Sequence, residues 1–506
     1  MITIPLQNPK LREDEFALPA PVVKTDPSTF ENYLRDASNY KGRSAAVYIP
    51  HSEKQISEIL KECSEKKIQV TVESAHTGLT GGGVPTGGVV LSVEKLTRVS
   101  EIKNSSVCVD AGVVLKDVHQ LADSKNYLYT PDPTERSAFI GGTAATNASG
   151  PRTFKYGATR PHVKRMRIVL SNGGVLELSR GQYMLGQDRK VILNFPARWK
   201  IQFEVPLYVM PDIKNAAGYY VKPQMDLIDL FIGSEGTLGV ITELELGLVR
   251  RPAQFFSIVA FFRTEEDSVR FVMDARVREH ARALEYLDSF TLRMLEPKYP
   301  QIPKDANAAI FLEQESTPET EDSLLEGWLE LMTKHYALTD KSWIGTTHEK
   351  QEEFRQFRHE APVMVNEIMA RRGLRKVGTD MAVPDSALET LMKYYKETIR
   401  ASGIDSITFG HIGNNHLHVN LLPKSKEEFD RAWALYHKWV ERVIQLGGTV
   451  SAEHGIGKIK IPFLEMMYGP KAVQQMAALK NAIDPAGILG RGNIFSEKYL
   501  STSSFC

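Results

Sequence analysis

Cysteine is scarce: Cys63, Cys108 and Cys506 are the only three in 506 residues, and no two stand as C-x-x-C. That excludes an iron–sulfur cluster or a Cys-rich zinc site held by this chain alone. A reducing compartment is the default expectation. No stretch of about 18 apolar residues occurs, so no spanning helix is expected. The start, Met1-Ile-Thr-Ile-Pro5, lacks a basic stretch followed by an apolar run, so no secretory signal is visible. A cytoplasmic protein is expected, with contact to a membrane surface or partner subunit, and a homodimer, left open. Excess charge of either sign is also missing, since Lys+Arg and Asp+Glu are both 62. The balance gives no support for a nucleic-acid partner, and an anionic ligand must be held by local groups. No internal repeat or low-complexity tract is obvious.

What is present is ordinary globular composition, 42% hydrophobic and 25% charged, in a chain too long for one core. The first half alternates strands and helices. Ala45-Ala-Val-Tyr-Ile-Pro50 reads as a strand, and Ser52-Glu-Lys-Gln55 is a capping box. The helix after it carries Ile56, Ile59, Leu60 and Cys63 at helical spacing. Ile68 to Val72, Val89 to Val93 and Val107 to Ala111 read as further strands, and Val114 to Ser124 as a helix. Residues 181–213 hold Tyr183, Phe195, Trp199, Phe203 and Tyr208 with three prolines and no clear period, so they read as an excursion. A new rhythm starts after Arg251-Pro252. Phe255 to Phe262 and Ala309 to Leu312 are strands, Thr264-Glu-Glu-Asp267 opens a helix, and 321–336 is helical. This alternation suits an antiparallel sheet covered on one side by helices. Lys471 to Ile483 is a helix stopped by Asp484-Pro485. The expected organisation is 1–251, 252–445 and a C-terminal segment, 446–506.

Three segments are rich in glycine and small residues. Ser74-Ala-His-Thr-Gly-Leu-Thr-Gly-Gly-Gly-Val-Pro85 follows a strand, and its backbone N–H groups suit either an anion-binding nest or a flexible hairpin loop. It is neither G-x-G-x-x-G nor a Walker loop. Pro131-Asp-Pro-Thr134 is followed by Gly141-Gly-Thr-Ala-Ala-Thr-Asn-Ala-Ser-Gly150, which leaves room for a flat ligand against the main chain. Phe231-Ile-Gly-Ser-Glu-Gly-Thr-Leu-Gly-Val-Ile-Thr242 pairs a glycine turn with a β-branched strand.

In this order, with Lys214-Asn-Ala-Ala-Gly-Tyr219, these segments resemble the FAD-binding domain of the vanillyl-alcohol oxidase superfamily. The likeness is greatest to its branch of D-lactate, glycolate-oxidase-subunit and D-2-hydroxyglutarate dehydrogenases. It covers roughly residues 40–500 apart from the excursion. The resemblance implies an α+β fold: a two-subdomain FAD-binding domain plus an α+β cap domain with an antiparallel sheet. It implies that Ser74, Ala75, His76, Thr77, Gly78 and Leu79 hold the FAD pyrophosphate. It places Pro131, Gly141, Gly142, Ala145, Ser149 and Gly150 toward the isoalloxazine and Gly239 and Ile241 toward the adenine end, with Tyr156 and Glu235 also among the cofactor-binding residues. Ser74-Ala75-His76 stand where the family has three glycines. Members with histidyl-FAD carry that His one place later, at Thr77 here, so non-covalent FAD is expected.

The most informative chemical stretch is Ile407-Thr-Phe-Gly-His-Ile-Gly-Asn-Asn-His-Leu-His-Val-Asn-Leu421. Asn414-Asn415 suits a two-residue hairpin turn, which opposes 413 to 416, 412 to 417 and 411 to 418. His411 and His418 then share one side with Cβ atoms about 5 Å apart, and His416 joins them. Leu417, Val419 and Leu421 point to the other side. Two such imidazoles either chelate a divalent metal or form a buried hydrogen-bonded pair. Ser451-Ala-Glu-His-Gly-Ile-Gly457 adds a carboxylate and another imidazole. In the resembling dehydrogenases, G-H-x-G-D-G-N-x-H and E-H-G-x-G form a metal site and a catalytic base. By position that implies His411, His418 and Glu453 as ligands to Zn or Mn, and His454 as base. Asn414, Asn415 and His416 replace the family's Asp-Gly-Asn. Arg358 is the candidate clamp for a substrate carboxylate, while Arg355 reads as a solvated helix face. Lys376 stands farther upstream of Thr379-Asp-Met-Ala-Val-Pro384 than the family's lysine.

The expected function is FAD-dependent oxidation of a small, D-lactate-like 2-hydroxy acid to the 2-oxo acid. Hydride passes to flavin N5, the metal polarises the hydroxyl, and His454 takes its proton. Electrons would leave to a quinone, a cytochrome, an electron-transfer flavoprotein or oxygen. Two rivals are non-oxidative chemistry like that of alkyl-dihydroxyacetone-phosphate synthase, and a non-catalytic FAD-holding subunit of a larger oxidase complex. The Glu453-His454 pair argues against the first, and the retained histidine hairpin against the second.

Overall fold

The computed structural model describes residues 1–8, 18–194, 200–278 and 281–500. Phe195 and Trp199 of the excursion lie outside the described residues. The first sheet contains β1 (Val22–Lys24), β2 (Ala46–Ile49), β3 (Val70–Glu73) and β4 (Val89–Ser92), in the order β1-β2-β4-β3. Strands β2 and β3 each pair with β4 in parallel, so a crossover must connect them. Helix α1 (Glu53–Lys66) makes it. Ser52 Oγ accepts the Gln55 N–H at 3.3 Å, and Gln55 Oε1 accepts the His51 N–H at 2.7 Å. The buried face carries Ile56, Ile59, Leu60 and Cys63, as their spacing predicts.

The second sheet is antiparallel: β5 (Ser106–Asp110), β6 (Val163–Val169), β7 (Val175–Ser179) and β8 (Val240–Gly247), in the order β5-β8-β6-β7. The excursion contains a hairpin, Lys190–Asn194 with Lys200–Glu204, and Ile2–Pro5 adds to it in parallel. Val191, Leu193, Ile201 and Phe203 are its buried residues. Five-residue strands whose third partner is the N-terminus leave too short an alternation to read from sequence.

The cap sheet has eight strands: β9 (Gln254–Phe262), β10 (Ala283–Asp288), β11 (Ala308–Ser316), β12 (Trp343–Gly345), β13 (Val377–Gly378), β14 (Met381–Ala382), β15 (Ser406–Gly410) and β16 (His416–Leu421). Its order is β12-β9-β11-β10-β15-β16-β13, every pairing is antiparallel, and β14 pairs with β16. This is the expected α+β architecture. One expectation fails: helices cover both faces of the cap sheet. Phe256, Ile258 and Phe262 share a core with Trp328 and Leu331 of the 321–334 helix. Val259 and Phe261 pack on the other side with Phe354 and Phe357 of helix α2 (His348–Arg372). Phe255 to Phe262 is a nearly continuous apolar run, the signature of a strand buried on both sides.

Helix α3 (Lys426–Gln445) follows the cap sheet. The final helix, α4 (Ile461–Ile483), starts ten residues before the expected Lys471, with a break at Gly469-Pro470. Beyond it the chain returns to the first sheet, where Leu489 bridges Val70. No helix among the described residues is long and apolar enough to cross a membrane.

Candidate active site

A cavity of about 1420 Å³ lies where the glycine-rich loops meet the cap. Ser74, Ala75, His76, Thr77, Gly78 and Leu79 line one part of it. Gly141, Gly142, Ala145 and Ser149 line another, as do Glu235, Gly239 and Ile241. Arg358, His411, His418, Glu453 and His454 reach it from the other side. Three expected residues do not line it. Pro131 turns its carbonyl to His119 Nε2 at 2.9 Å. Gly150 packs so closely on the same turn that a Cβ would come 2.0 Å from the Asp132 carbonyl oxygen. Tyr156 spends its hydroxyl on Glu315 of the cap. Only Tyr156 of the three reaches the cap; Pro131 and Gly150 pack within the first domain.

The loop residues fit FAD. The cavity has room for an extended cofactor, and Ser74 Oγ is buried with no hydrogen-bond partner among the described residues. Gly142 leaves open a place where a Cβ would lie 2.7 Å from that oxygen. His76 has φ 59° and turns its Nδ1 to Glu73 Oε1 at 3.0 Å. The Glu235 carboxylate accepts the N–H groups of Ile456 and Gly457 at 2.8 and 2.7 Å, so it ties the glycine turn after Glu453-His454 to the cofactor loops.

The histidine hairpin differs from its expected register. The observed pairs are Phe409 with His418 and Thr408 with Val419. Asn414-Asn415 is not a two-residue turn. A 3-10 turn spans Ile412–Asn414, Asn415 takes φ 53°, and the His416 N–H reaches the His411 carbonyl at 3.2 Å. Arg276 fastens this wider turn through the Ile412 carbonyl and the Asn415 side chain. His411 therefore leaves the ladder, yet its ring still stands 5.5 Å from that of His418. His416 is on the same side, and Leu417, Val419 and Leu421 are buried in apolar cores.

Glu453 is the hub. Its Oε2 lies 3.4 Å from His411 Nε2 and its Oε1 lies 3.2 Å from His418 Nε2. Lys214 Nζ donates to Oε2 at 2.7 Å and Ser149 Oγ at 3.0 Å. The outer nitrogens of both imidazoles are held: His411 Nδ1 by Glu285 Oε1 at 2.7 Å, His418 Nδ1 by the Thr379 carbonyl at 3.2 Å. Such outer contacts fix the tautomer that presents Nε2 to an ion. His411, His416, His418 and Glu453 offer donor atoms all within 4.8 Å of one another, a set that fits a divalent cation. A second group, Asp380, Glu453 and His454, is also close enough. Asp380 is already saturated, accepting from the backbone of Glu453 and His454, from Ser451 Oγ and from Lys460.

Burial opposes charge throughout this cluster, and specific partners decide the outcome. Lys214 and His411 overcome burial at Glu453 and hold its carboxyl well below the usual range. His454 and Lys460 do the same for Asp380. At Glu285, Arg358 and His411 outweigh burial and bring the carboxyl down to about 2. Burial keeps His416 and His418 neutral-leaning, with pKa values lowered. His454 stacks on His418, rings 5.6 Å apart, with Nε2 3.3 Å from Glu453 Oε1.

Arg358 reaches the cavity, but its Nε and Nη2 both donate to Glu285 Oε2, at 2.9 and 2.6 Å. Arg355 pairs with its helical neighbour Glu352, as a solvated face would. Lys376 lines the cavity, and burial pushes its pKa down to about 8. Its Cε is 3.9 Å from where a Cβ on Gly378 would stand. Three site residues had no assigned role in the sequence reading: Lys214, Glu285 and Asp380. Glu285 carried a signal, as a carboxylate flanked by Leu284 and Tyr286 in the fully buried strand Ala283–Asp288.

Residues 44–179 match the family described as FAD binding domain, and residues 251–494 match FAD linked oxidases, C-terminal domain. The chain is 31% identical to the glycolate oxidase subunit GlcD of Bacillus subtilis, over 92% of both chains. It is 29% identical to a D-lactate dehydrogenase of Anaerostipes hadrus, over 90% of both. With D-2-hydroxyglutarate dehydrogenase of Stutzerimonas stutzeri it shares 27%, over 94% of this chain and 96% of the relative. An alkyldihydroxyacetonephosphate synthase structure shares the fold, with TM-score 0.68 at 15% identity, over 96% of this chain and 86% of that one. Both halves are matched and the relatives align almost end to end, so the chain belongs to the FAD-linked oxidases and is an FAD-dependent oxidoreductase.

Proposed function

We propose that this enzyme oxidises a small, D-lactate-like 2-hydroxy acid to the 2-oxo acid. The observation that carries the reading is the arrangement around Glu453, with Nε2 of His411 facing one carboxylate oxygen and Nε2 of His418 and of His454 facing the other, all in the cavity lined by the glycine-rich loops. The names of the relatives, a glycolate oxidase subunit and two 2-hydroxy acid dehydrogenases, support the substrate class.

His411, His418 and Glu453 would hold a divalent ion, Zn²⁺ or Mn²⁺. When bound, FAD supplies the two-electron acceptor and the ion supplies Lewis-acid polarisation of the hydroxyl. His454 takes the hydroxyl proton at Nε2, with Asp380 facing its Nδ1. Arg358 acts mainly through Glu285, which orients His411. Lys376 lines the same cavity, makes no ion pair among the described residues and is the better candidate to meet the substrate carboxylate. Ser74 to Leu79 hold non-covalent FAD at its pyrophosphate. The electrons then pass to an external acceptor.

The test is anaerobic mixing of the purified holoenzyme with a panel of D- and L-2-hydroxy acids, followed by flavin absorbance. D-lactate or a close analogue should bleach the flavin. Failure of every 2-hydroxy acid to reduce it rejects the reading.

A further inference from the structure

Besides His454, three imidazoles surround Glu453, but only two of these are equipped to ligate. His411 and His418 tie their outer nitrogens to Glu285 and the Thr379 carbonyl, leaving each Nε2 lone pair facing the Glu453 carboxylate. His416 is fully buried beside them, with Nδ1 3.7 Å from Glu453 Oε2. Lys214 Nζ stands 3.1 Å from that same Nδ1 and 2.7 Å from Oε2, on a side chain 4% exposed. An ammonium has three donors and no acceptor, so it can only donate to Nδ1 and occupies the lone pair a metal would need. The other nitrogen, Nε2, lies 3.1 Å from Asp380 Oδ1, off the direction of a hydrogen bond. Both nitrogens of His416 thus lie against protein groups.

We propose that Lys214 keeps His416 out of the ligand set, so that the ion is held by His411, His418 and Glu453 with open positions left for substrate. This rests on the reading above that the site holds a divalent ion. The chemical reason is coordination number. Four protein donors around a zinc-like ion make a closed, structural centre, whereas three leave the vacancy catalysis requires. With Lys214 removed, Nδ1 of His416 is freed within reach of the same ion. Lys214 is then a positioning residue: it never touches substrate, but decides how many protein donors the ion has.

Co²⁺ bound to the FAD-loaded protein tests this, because its visible bands beyond the flavin absorption report coordination. The wild-type protein should give the weak bands of a five- or six-coordinate ion. Lys214→Met should give the intense bands of a four-coordinate ion and bind Co²⁺ about 10- to 100-fold more tightly, the scale on which groups around ligands alter affinity. Lys214→Met with His416→Asn should return the weak spectrum. In the otherwise native protein, His416→Asn alone should leave spectrum and affinity unchanged, which keeps the test open if Lys214→Met does not fold. Intense wild-type bands that weaken in His416→Asn, or a folded Lys214→Met variant indistinguishable from wild type, would overturn the proposal while leaving the ion in place. Failure of the folded, FAD-loaded wild-type protein to bind Co²⁺ at all would overturn the proposal and the ion reading together.

Discussion

Asp380 Oδ2 lies 3.4 Å from Nδ1 of His454 and accepts the backbone N–H of the same residue at 3.1 Å. One buried carboxylate thus sets both the chain path at His454 and the side of the ring that faces away from Glu453. Asp380→Asn keeps the shape but weakens both contacts. Flavin reduction should slow by about 10- to 100-fold, as for other groups that orient a reactive imidazole, and its pH profile should shift. Anaerobic stopped-flow measurements across pH check this. An unchanged profile would assign Asp380 to folding alone.

His454→Asn preserves size and one hydrogen bond but removes the base. FAD and metal should stay bound, and flavin reduction should slow by about 10²–10⁴-fold. Reduction within a few-fold of wild type rejects His454 as the base. Loss of metal would mean that Glu453 and His454 have exchanged roles.

Chelation should abolish turnover while FAD remains, and Zn²⁺ or Mn²⁺ should restore it. His411→Ala and His418→Ala should each copy the chelated state, read by metal analysis alongside turnover. Full activity in a metal-free preparation would leave these histidines a structural role.

The purified protein should be yellow, and acid should release its FAD. His76 is turned to Glu73 and stands edge-on to Tyr33, ring centres 5.1 Å apart. Flavin that migrates with the denatured polypeptide would contradict non-covalent binding and make His76 the first attachment site to examine.

Glu285 links stability to pH. Its folded pKa, about 2, lies below the ordinary 4.5 because Arg358 and His411 outweigh burial. A carboxyl with a depressed folded pKa contributes stability above its unfolded value, and that contribution is lost as pH falls from about 4.5 toward 2. Arg358→Met removes the larger of the two opposing charges, so its acid unfolding should begin at higher pH than in wild type. Circular dichroism during acid titration reads the midpoint. A midpoint equal to wild type would show that the ion pair does not couple to folding.

Much of the site was legible because its chemistry is packed into short stretches. Residues 407–421 and 451–457 carry the clustered imidazoles and carboxylate, and glycines mark the loops that line the cavity. The register of the hairpin was not legible. Asn414-Asn415 favours a tight turn locally, but Arg276, well over a hundred residues upstream, bonds to the turn and holds a wider one. Arg358 was legible as a cavity residue, but its engagement by Glu285 was not, because that carboxylate comes from a strand of the cap, 73 residues before Arg358 on its helix.

The sequence by itself determined the fold class and named the loops and side chains that come to line the cavity, since each rests on residue type and spacing over a few positions. Only the tertiary structure decided what those side chains face. Lys214 lies 239 residues from Glu453 and Asp380 lies 74 from His454, yet both touch the cluster. Whether an imidazole is a ligand, a base or a spectator depends on which charged group reaches each of its nitrogens. That is fixed by packing between strands and loops distant along the chain, where no local pattern records it.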